Sequence, residues 1–182
     1  MAPQAQGLRE FLAPSEALLA GAAAHAAPHI FADAARERDA VQREGFRIGA
    51  LNLMVRYEDG SELAEMPPVC RLPNAPGWFL GMTNLHGTLV PVFDPAARWG
   101  TSHGEGARNM LLVLGHGEQR AALVIDGLPA RLKPTPEDRL QDAPEPSALA
   151  GCVGATHRID GDDWMDLNCA ALLERLQRDL AE

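Results

Sequence analysis

The chain has 182 residues, 46% of them apolar, and carries 25 acidic against 16 basic residues, for a net charge of −9 at pH 7. This length predicts one substantial core. The acidic balance, with Lys133 as the single lysine, excludes the broad cationic face that nucleic acid or an anionic membrane would need. Three cysteines without C-x-x-C spacing, and the lack of a signal-peptide pattern or a bilayer-length apolar run, predict a cytoplasmic protein with no membrane insertion.

The first 45 residues predict a helical extension. Ser15 can cap a first helix, and a second amphipathic stretch runs from Ala32 to Glu44. Gly45 ends this stretch, which is too rich in alanine and polar residues to form a core of its own. We therefore place a boundary at Gly45, with a helical extension at 1–45 and the main domain at 46–182.

The main domain shows the two-residue alternation of β-strands, interrupted by turn residues. Three strand pairs are predicted, namely Phe46–Ile48 with Leu51–Val55, Met110–Leu114 with Ala121–Ile125, and Thr156–Ile159 with Trp164–Leu167. A further strand, Thr88–Asp94, contains Pro91, which predicts an edge strand or a bulge because proline donates no hydrogen bond to a neighbouring strand. Many short strands with regular turns predict a mainly β fold of the barrel or sandwich type.

The chain ends in a predicted helix that Asn168 can cap. Its leucines recur at three- and four-residue spacing on one face, at Leu172, Leu173, Leu176 and Leu180, so this face is expected to pack on the domain. Of the tryptophans, Trp99 and Trp164 are predicted to lie in the core, whereas Trp78 is predicted equally well as a core or an interface residue.

The most informative segment runs from Gly81 to Asp94 and reads GMTNLHGTLVPVFD. It strongly resembles the G-x-x-N-L-R-G-x-x-x-P-V-x-D signature of CheW-like domains. Further matches follow in the order expected for that family, with Pro76–Leu80 just before the segment and Ala121–Gly127 after it. The resemblance covers about Phe46 to Leu180.

The resemblance implies two small five-stranded β-barrels that share a core, with no cofactor, no metal and no catalytic activity. It implies an adaptor that couples the cytoplasmic tip of a methyl-accepting chemoreceptor to the regulatory domain of a CheA-type histidine kinase. The Gly45–Gly49 start and Trp164 further resemble the PilI-type branch, the coupling proteins of type IV pilus (twitching motility) systems. A chemotaxis or pilus signalling system is therefore expected.

Carried onto this chain, the resemblance places the receptor hairpin in a groove between the barrels. The candidate partner-binding residues are Gly60, Glu62, Leu63, Gly81, Asn84, His86, Gly87, Leu128 and Arg131. In the segment from Gly81 to Gly87, Asn84 is expected to bond nearby backbone groups and so to hold a stiff display loop.

Two of these candidates depart from the family pattern. His86 stands where relatives carry an arginine, so a permanently charged bidentate donor is replaced by an imidazole. Gly60 is small where relatives often carry a β-branched residue. Arg131 is the candidate to supply the missing positive charge.

Metal sites are not predicted. His25 and His29 have the spacing of two ligands on one helix face, but no further ligand is near them in sequence. The acidic run Asp160–Asp163 resembles a calcium loop in which Met165 stands where the sixth-position glycine is needed, so a solvated hairpin turn is predicted instead.

Two alternative functions remain open from the sequence. The first is a β-barrel that binds a small molecule, which needs an enclosed apolar pocket with a few convergent polar groups. The second is a hydrolase that uses Asp94 or Asp126 with His86, which needs that histidine within hydrogen-bond reach of the carboxylate. For Asp94, a structural role at a turn is the favoured interpretation.

Overall fold

The computed structural model of the protein describes residues 42–181, so most of the predicted helical extension, including His25 and His29, lies outside the described residues. Within that range the chain forms eleven strands and two α-helices. The strands are β1 (Arg43–Ile48), β2 (Leu51–Arg56), β3 (Gly60–Glu65), β4 (Phe79–Leu85), β5 (Thr88–Phe93), β6 (Asn109–Leu114), β7 (Ala121–Asp126), β8 (Ala130–Leu132), β9 (Arg139–Leu140), β10 (Val153–Ile159) and β11 (Asp162–Leu167). The helices are α1 (Pro95–Trp99) and α2 (Cys169–Ala181).

The first sheet has the strand order β8-β1-β2-β11-β10-β9. Two of the predicted hairpins lie in it. β1 and β2 are joined at Gly49, whose φ of 58° favours glycine. β10 and β11 are joined at Asp160 and Gly161, with φ values of 52° and 90°, which form a two-residue turn that matches the twist of the strands. The sheet has six strands where the resemblance implies five, because the two-residue β9 adds to β10.

The predicted helix up to Glu44 is wrong at its end. Arg43 and Glu44 already belong to β1, where they pair with Arg56 and Val55 of β2. On its other side Glu44 pairs with Arg131 of β8. Pairing with two neighbouring strands outweighs the local helical pattern, since helix propensity alone is a weak determinant of structure.

The second sheet has the strand order β3-β6-β7-β5-β4. β6 and β7 form the third predicted hairpin, in register from Asn109 opposite Asp126 to Leu114 opposite Ala121. The chain that follows β3 crosses to the opposite edge of the sheet, where Cys70 and Met82 exchange backbone hydrogen bonds of 2.8 and 2.9 Å. The two edges of this sheet are thereby brought together, as in a small barrel.

β5 is an interior strand, so the prediction that Pro91 marks an edge is wrong. Its pairing with β7 begins at Val92, so Pro91 precedes the residues that need to donate to that neighbour. The alternative prediction was a bulge, and the irregularity lies in the neighbouring strand β4, whose register against β5 shifts between Phe79 and Gly81.

Both sheets contribute to one main core. Its fully buried side chains come from the first sheet, the second sheet and α2, and include Phe46, Leu53, Phe93, Leu112, Leu123, Leu172 and Leu176. Each sheet also has a smaller cluster of its own, around Leu111 in the second and around Met54 and Trp164 in the first. Two β subdomains that share a core, as predicted, are therefore confirmed.

α2 closes this core as the leucine spacing predicts. Leu172, Leu173 and Leu176 are buried, and each such burial contributes roughly 1.5–3 kcal/mol. Asn168 caps the helix, because its Oδ1 accepts the backbone N–H of Ala171 at 3.1 Å.

The tryptophans lie near their predicted positions. Trp164 is buried in the cluster of the first sheet. Trp99 is partly buried against the main core, and so is Trp78, whose ring stacks on Phe93 with centroids 6.0 Å apart. Arg98 lies over the Trp78 ring and binds Asp179 of α2 at 2.6 Å, which ties α1 to α2.

Candidate functional site

The predicted display loop is a β-hairpin with a two-residue turn. β4 runs to Leu85, and the turn consists of His86 and Gly87, whose φ values are 51° and 85°. Asn84 accepts the backbone N–H of Gly87 through Oδ1 at 2.7 Å, which confirms the expected local hydrogen bond. The turn is therefore held stiffly, while the His86 side chain is 84% exposed.

Gly81 is not part of this turn. It is a buried residue inside β4 with a φ of 127°, and a Cβ there would collide with the carbonyl oxygen of Cys70. This glycine lets the chain at Cys70 lie against β4. Gly81 therefore affects the candidate partner-binding surface only indirectly, by shaping β4.

His86 and Glu62 are brought together by the fold. The His86 Nε2 lies 2.8 Å from Oε1 of Glu62 in β3. Because β3 and β4 are the two edges of the second sheet, this hydrogen bond joins the exposed turn to the opposite edge. Leu63, beside Glu62, is an exposed apolar side chain. An intramolecular carboxylate thus engages Nε2 of the imidazole at the position where the family carries arginine.

Gly60 and Arg131 lie against a residue that the sequence did not single out. A Cβ at Gly60 would collide with Oε2 of Glu44, and Glu44 pairs across strands with Arg131. The Arg131 guanidinium lies 5.4 Å from the centroid of the Tyr57 ring. We call Tyr57, Gly60, Glu44 and Arg131 the Glu44 patch.

Leu128 lies between β7 and β8 and is 75% exposed. It follows Gly127, whose φ is 72°. Single exposed apolar side chains are common on protein surfaces, so Leu128 remains a candidate on the resemblance and not on its exposure.

A second polar cluster lies where the two signature aspartates end their strands. His103 is hydrogen-bonded to Asp126 at 2.5 Å through Nδ1 and to Asp94 at 3.1 Å through Nε2. The other carboxylate oxygen of Asp126 accepts the backbone N–H groups of Gly49 at 2.7 Å and Gly104 at 2.9 Å. Because Gly49 lies in the turn between β1 and β2 of the first sheet and Asp126 ends β7 of the second, this Asp94–His103–Asp126 cluster fastens the two sheets together.

The electrostatics of Asp126 agree with a structural role. Burial alone would raise the pKa of Asp126, but hydrogen bonds from the Gly104 and Gly49 amides and from His103 together hold the pKa below its ordinary value. Asp94 also caps α1, accepting the N–H of Ala97 at 3.1 Å, as its favoured structural role predicts.

The predicted pairing of His86 with Asp94 or Asp126 is wrong. His103, which the sequence reasoning did not single out, contacts both aspartates, and His86 contacts Glu62. The sequence carries only a weak signal for His103, a histidine in a glycine-rich connection after a strand that ends in an aspartate. The geometry that the hydrolase alternative needs is therefore not formed.

A cleft of about 390 Å³ lies beside the start of α2, and it bears on the alternative of small-molecule binding. Its lining includes Arg56, Asp59 and Asp166, so its character is polar.

Among residues 42–181, no group of three or more His, Cys, Asp or Glu side chains has an arrangement that could hold a metal ion. In the same range, none of the helices has the length and apolar content needed to cross a membrane.

Comparison with known proteins identifies the family. A CheW-like domain model matches residues 45–177. The chain is 31% identical over 104 residues to a probable chemotaxis protein CheW of Rhizobium etli, covering 57% of this chain and 66% of that protein. It is 33% identical over 87 residues to the chemotaxis protein CheW of Klebsiella aerogenes, covering 46% and 51%. The alignments thus span between half and two thirds of these relatives.

The fold agrees with this match. The crystal structure of the scaffolding protein TtCheW from Thermoanaerobacter tengcongensis superposes with a TM-score of 0.60 at 16% identity, covering 69% of this chain and 82% of that one. The signature from Gly81 to Asp94, the two sheets around a shared core and the match over residues 45–177 agree with one another. The chain belongs to the CheW-like domain family.

Proposed function

We propose that this chain is a non-catalytic cytoplasmic adaptor that couples a methyl-accepting chemoreceptor to a CheA-type histidine kinase. Membership of the CheW-like family supports the proposal, and so do relatives named as chemotaxis proteins and a structural neighbour named as a scaffolding protein. The observation on this chain that carries it is the rigid exposed turn at His86, hydrogen-bonded to Glu62 on the opposite sheet edge.

A stiff surface of this kind suits protein binding. The turn backbone is held by the Asn84 hydrogen bond, so it loses little conformational entropy when a partner covers it. Exposed apolar side chains lie beside it, namely Leu63 next to Glu62 and Leu89 two residues after Gly87. We assign this turn, together with Leu128 and Arg131, to the receptor hairpin.

The proposal is tested by titrating the full chain with two fragments from its own organism, a receptor cytoplasmic tip and the kinase regulatory domain. Both should bind, and receptor-stimulated kinase activity should require the chain. Leu128→Ser should weaken receptor binding by about tenfold, because an exposed apolar anchor is lost. Leu72→Ser is the matched control, since Leu72 is an exposed leucine outside the candidate residues. Failure of the unmodified chain to bind either fragment would contradict the proposal.

The type IV pilus branch is tested separately in cells. We propose it on the resemblance of the Gly45–Gly49 start and Trp164. Deleting the gene should then abolish twitching and leave swimming intact. Loss of swimming with normal twitching would instead assign the chain to a flagellar pathway.

A further inference from the structure

Gly60 of β3 lies against a side chain from β1. Its φ lies outside the left-handed region, so the conformation itself does not demand glycine. The space that a Cβ would need is taken by Oε2 of Glu44. The Glu44 carboxylate, at the end of a flexible side chain from β1, thus occupies the open space over Gly60.

That carboxylate is placed at an energetic disadvantage. Glu44 is half-buried, burial raises its pKa, and the positive charge of Arg131 offsets only part of the rise. The Arg131 guanidinium is also engaged with the Tyr57 ring. The Glu44 carboxylate therefore lies at the candidate surface beside Gly60 with one nearby positive charge, that of Arg131.

A partner that covers Gly60 and Arg131 must also cover Glu44. Covering would remove the remaining water from the carboxylate, and a buried charge without a compensating donor is strongly unfavourable. An apolar or acidic segment would therefore be rejected at this point. A lysine or arginine of the partner would add a positive charge to that of Arg131, whose guanidinium also lies over the Tyr57 ring.

We propose that Glu44 is a specificity-determining residue of the partner-binding surface, and that its carboxylate, seated over Gly60, binds a basic side chain of the chemoreceptor hairpin. This inference rests on the proposed function, which places that hairpin over Gly60, Leu128 and Arg131. It adds Glu44 to the nine candidate residues and predicts a positive charge on the partner group that contacts Glu44.

The first test compares Glu44→Gln with Glu174→Gln, which removes the same charge from an exposed position on α2. Binding of each variant to the receptor tip and to the kinase regulatory domain is measured by calorimetric titration at about 50 mM and 300 mM salt. Glu44→Gln should weaken receptor binding by about tenfold at low salt and by less at high salt, since screening already weakens the charged contact. It should leave kinase binding unchanged, and Glu174→Gln should leave both unchanged.

The second test uses the contact with Gly60. Gly60→Ala should displace the Glu44 carboxylate and weaken receptor binding to a similar extent. In the Glu44→Gln background, Gly60→Ala should add much less than it does alone, because the two changes remove one interaction. Thermal unfolding serves as the folding check, and Glu44→Gln should melt no lower than the unmodified chain.

The outcomes separate the two proposals. If the unmodified chain binds neither fragment, the adaptor function fails and this inference fails with it. If the receptor tip binds but Glu44→Gln binds it equally well, the adaptor function stands and Glu44 has no role in recognition. Full additivity of the two substitutions, or a loss confined to kinase binding, would likewise overturn the assignment to the receptor hairpin.

Discussion

Within residues 42–181, two histidines form hydrogen bonds to carboxylates, and their surroundings differ. His103 is 19% exposed and lies between Asp94 and Asp126, which is itself held by two backbone amides. His86 is 84% exposed on a two-residue turn and meets the single carboxylate of Glu62. The same pair of chemical groups is thus part of a network in one place and solvent-facing in the other.

The difference teaches which pair holds the fold and which is available to a partner. Buried polar groups that lose a partner carry their full desolvation cost, whereas exposed pairs are replaced by water at little cost. The Asp94–His103–Asp126 cluster should therefore contribute more to the free energy of unfolding than the His86–Glu62 contact does. The His86–Glu62 contact should affect stability little, so it can respond to binding.

Asp126→Ala should have the largest effect. It leaves the amides of Gly49 and Gly104 and the ring of His103 without their acceptor, and the expected loss is about 2–4 kcal/mol of unfolding free energy. Urea unfolding followed by circular dichroism measures it. Asp142→Ala, at an exposed position, is the control and should change stability by less than about 0.5 kcal/mol. Equal stabilities for the two variants would show that the cluster does not fasten the sheets.

His103→Ala should cost less, about 1–3 kcal/mol, because Asp126 keeps its two backbone donors. The loss concerns one donor to Asp126 and one to Asp94. The same unfolding measurement applies. A double variant with Asp126→Ala should fall well short of the sum of the single losses, since the residues share one network. A fully additive result would mean that His103 and Asp126 stabilise the protein independently.

Acid unfolding should reveal Asp126 directly. Its folded-state pKa lies below the ordinary 3.8, so its contribution to stability is fully present above about pH 4 and is lost as the pH falls through the lower folded value. The stability difference between the unmodified chain and Asp126→Asn should therefore be constant near neutral pH and shrink below pH 4. A difference that stayed constant down to the acid transition would show that the carboxylate charge is not what stabilises the cluster.

The sequence predicted the local parts of this fold well. The three hairpins depend on alternation and on turn residues close in the chain, such as Asp160 and Gly161. The glycines at Gly81 and Gly87 predict a loop between them, but the chain up to Leu85 is part of β4. The strand forms because this segment pairs with β5 and with the distant Cys70. Strand pairing across the chain is a tertiary effect that local patterns do not carry.

The candidate site was predicted as residues but not as contacts. The resemblance to CheW-like domains located Glu62 and His86, yet only the curl of the second sheet brings their side chains to 2.8 Å. The sequence predicts a helix at Glu44, so its contact with Gly60 of β3 could not be predicted. His103 is 9 residues from Asp94 and 23 from Asp126, in a connection that offered no periodicity to interpret.

His86→Ala should have the smallest effect on stability and a clear effect on binding. The exposed contact with Glu62 is worth about 0–1 kcal/mol, so the unfolding free energy should barely change. His116→Ala is the matched control, since His116 is another exposed histidine with a single hydrogen bond, to the Glu58 carbonyl at 2.6 Å. If the turn is a recognition element, His86→Ala should weaken receptor binding about fivefold or more while His116→Ala leaves it unchanged. A loss of stability as large as that of His103→Ala would remove the distinction between the two histidines. Unchanged binding in both variants would place His86 outside the interface and leave the receptor contact to Leu128 and the Glu44 patch.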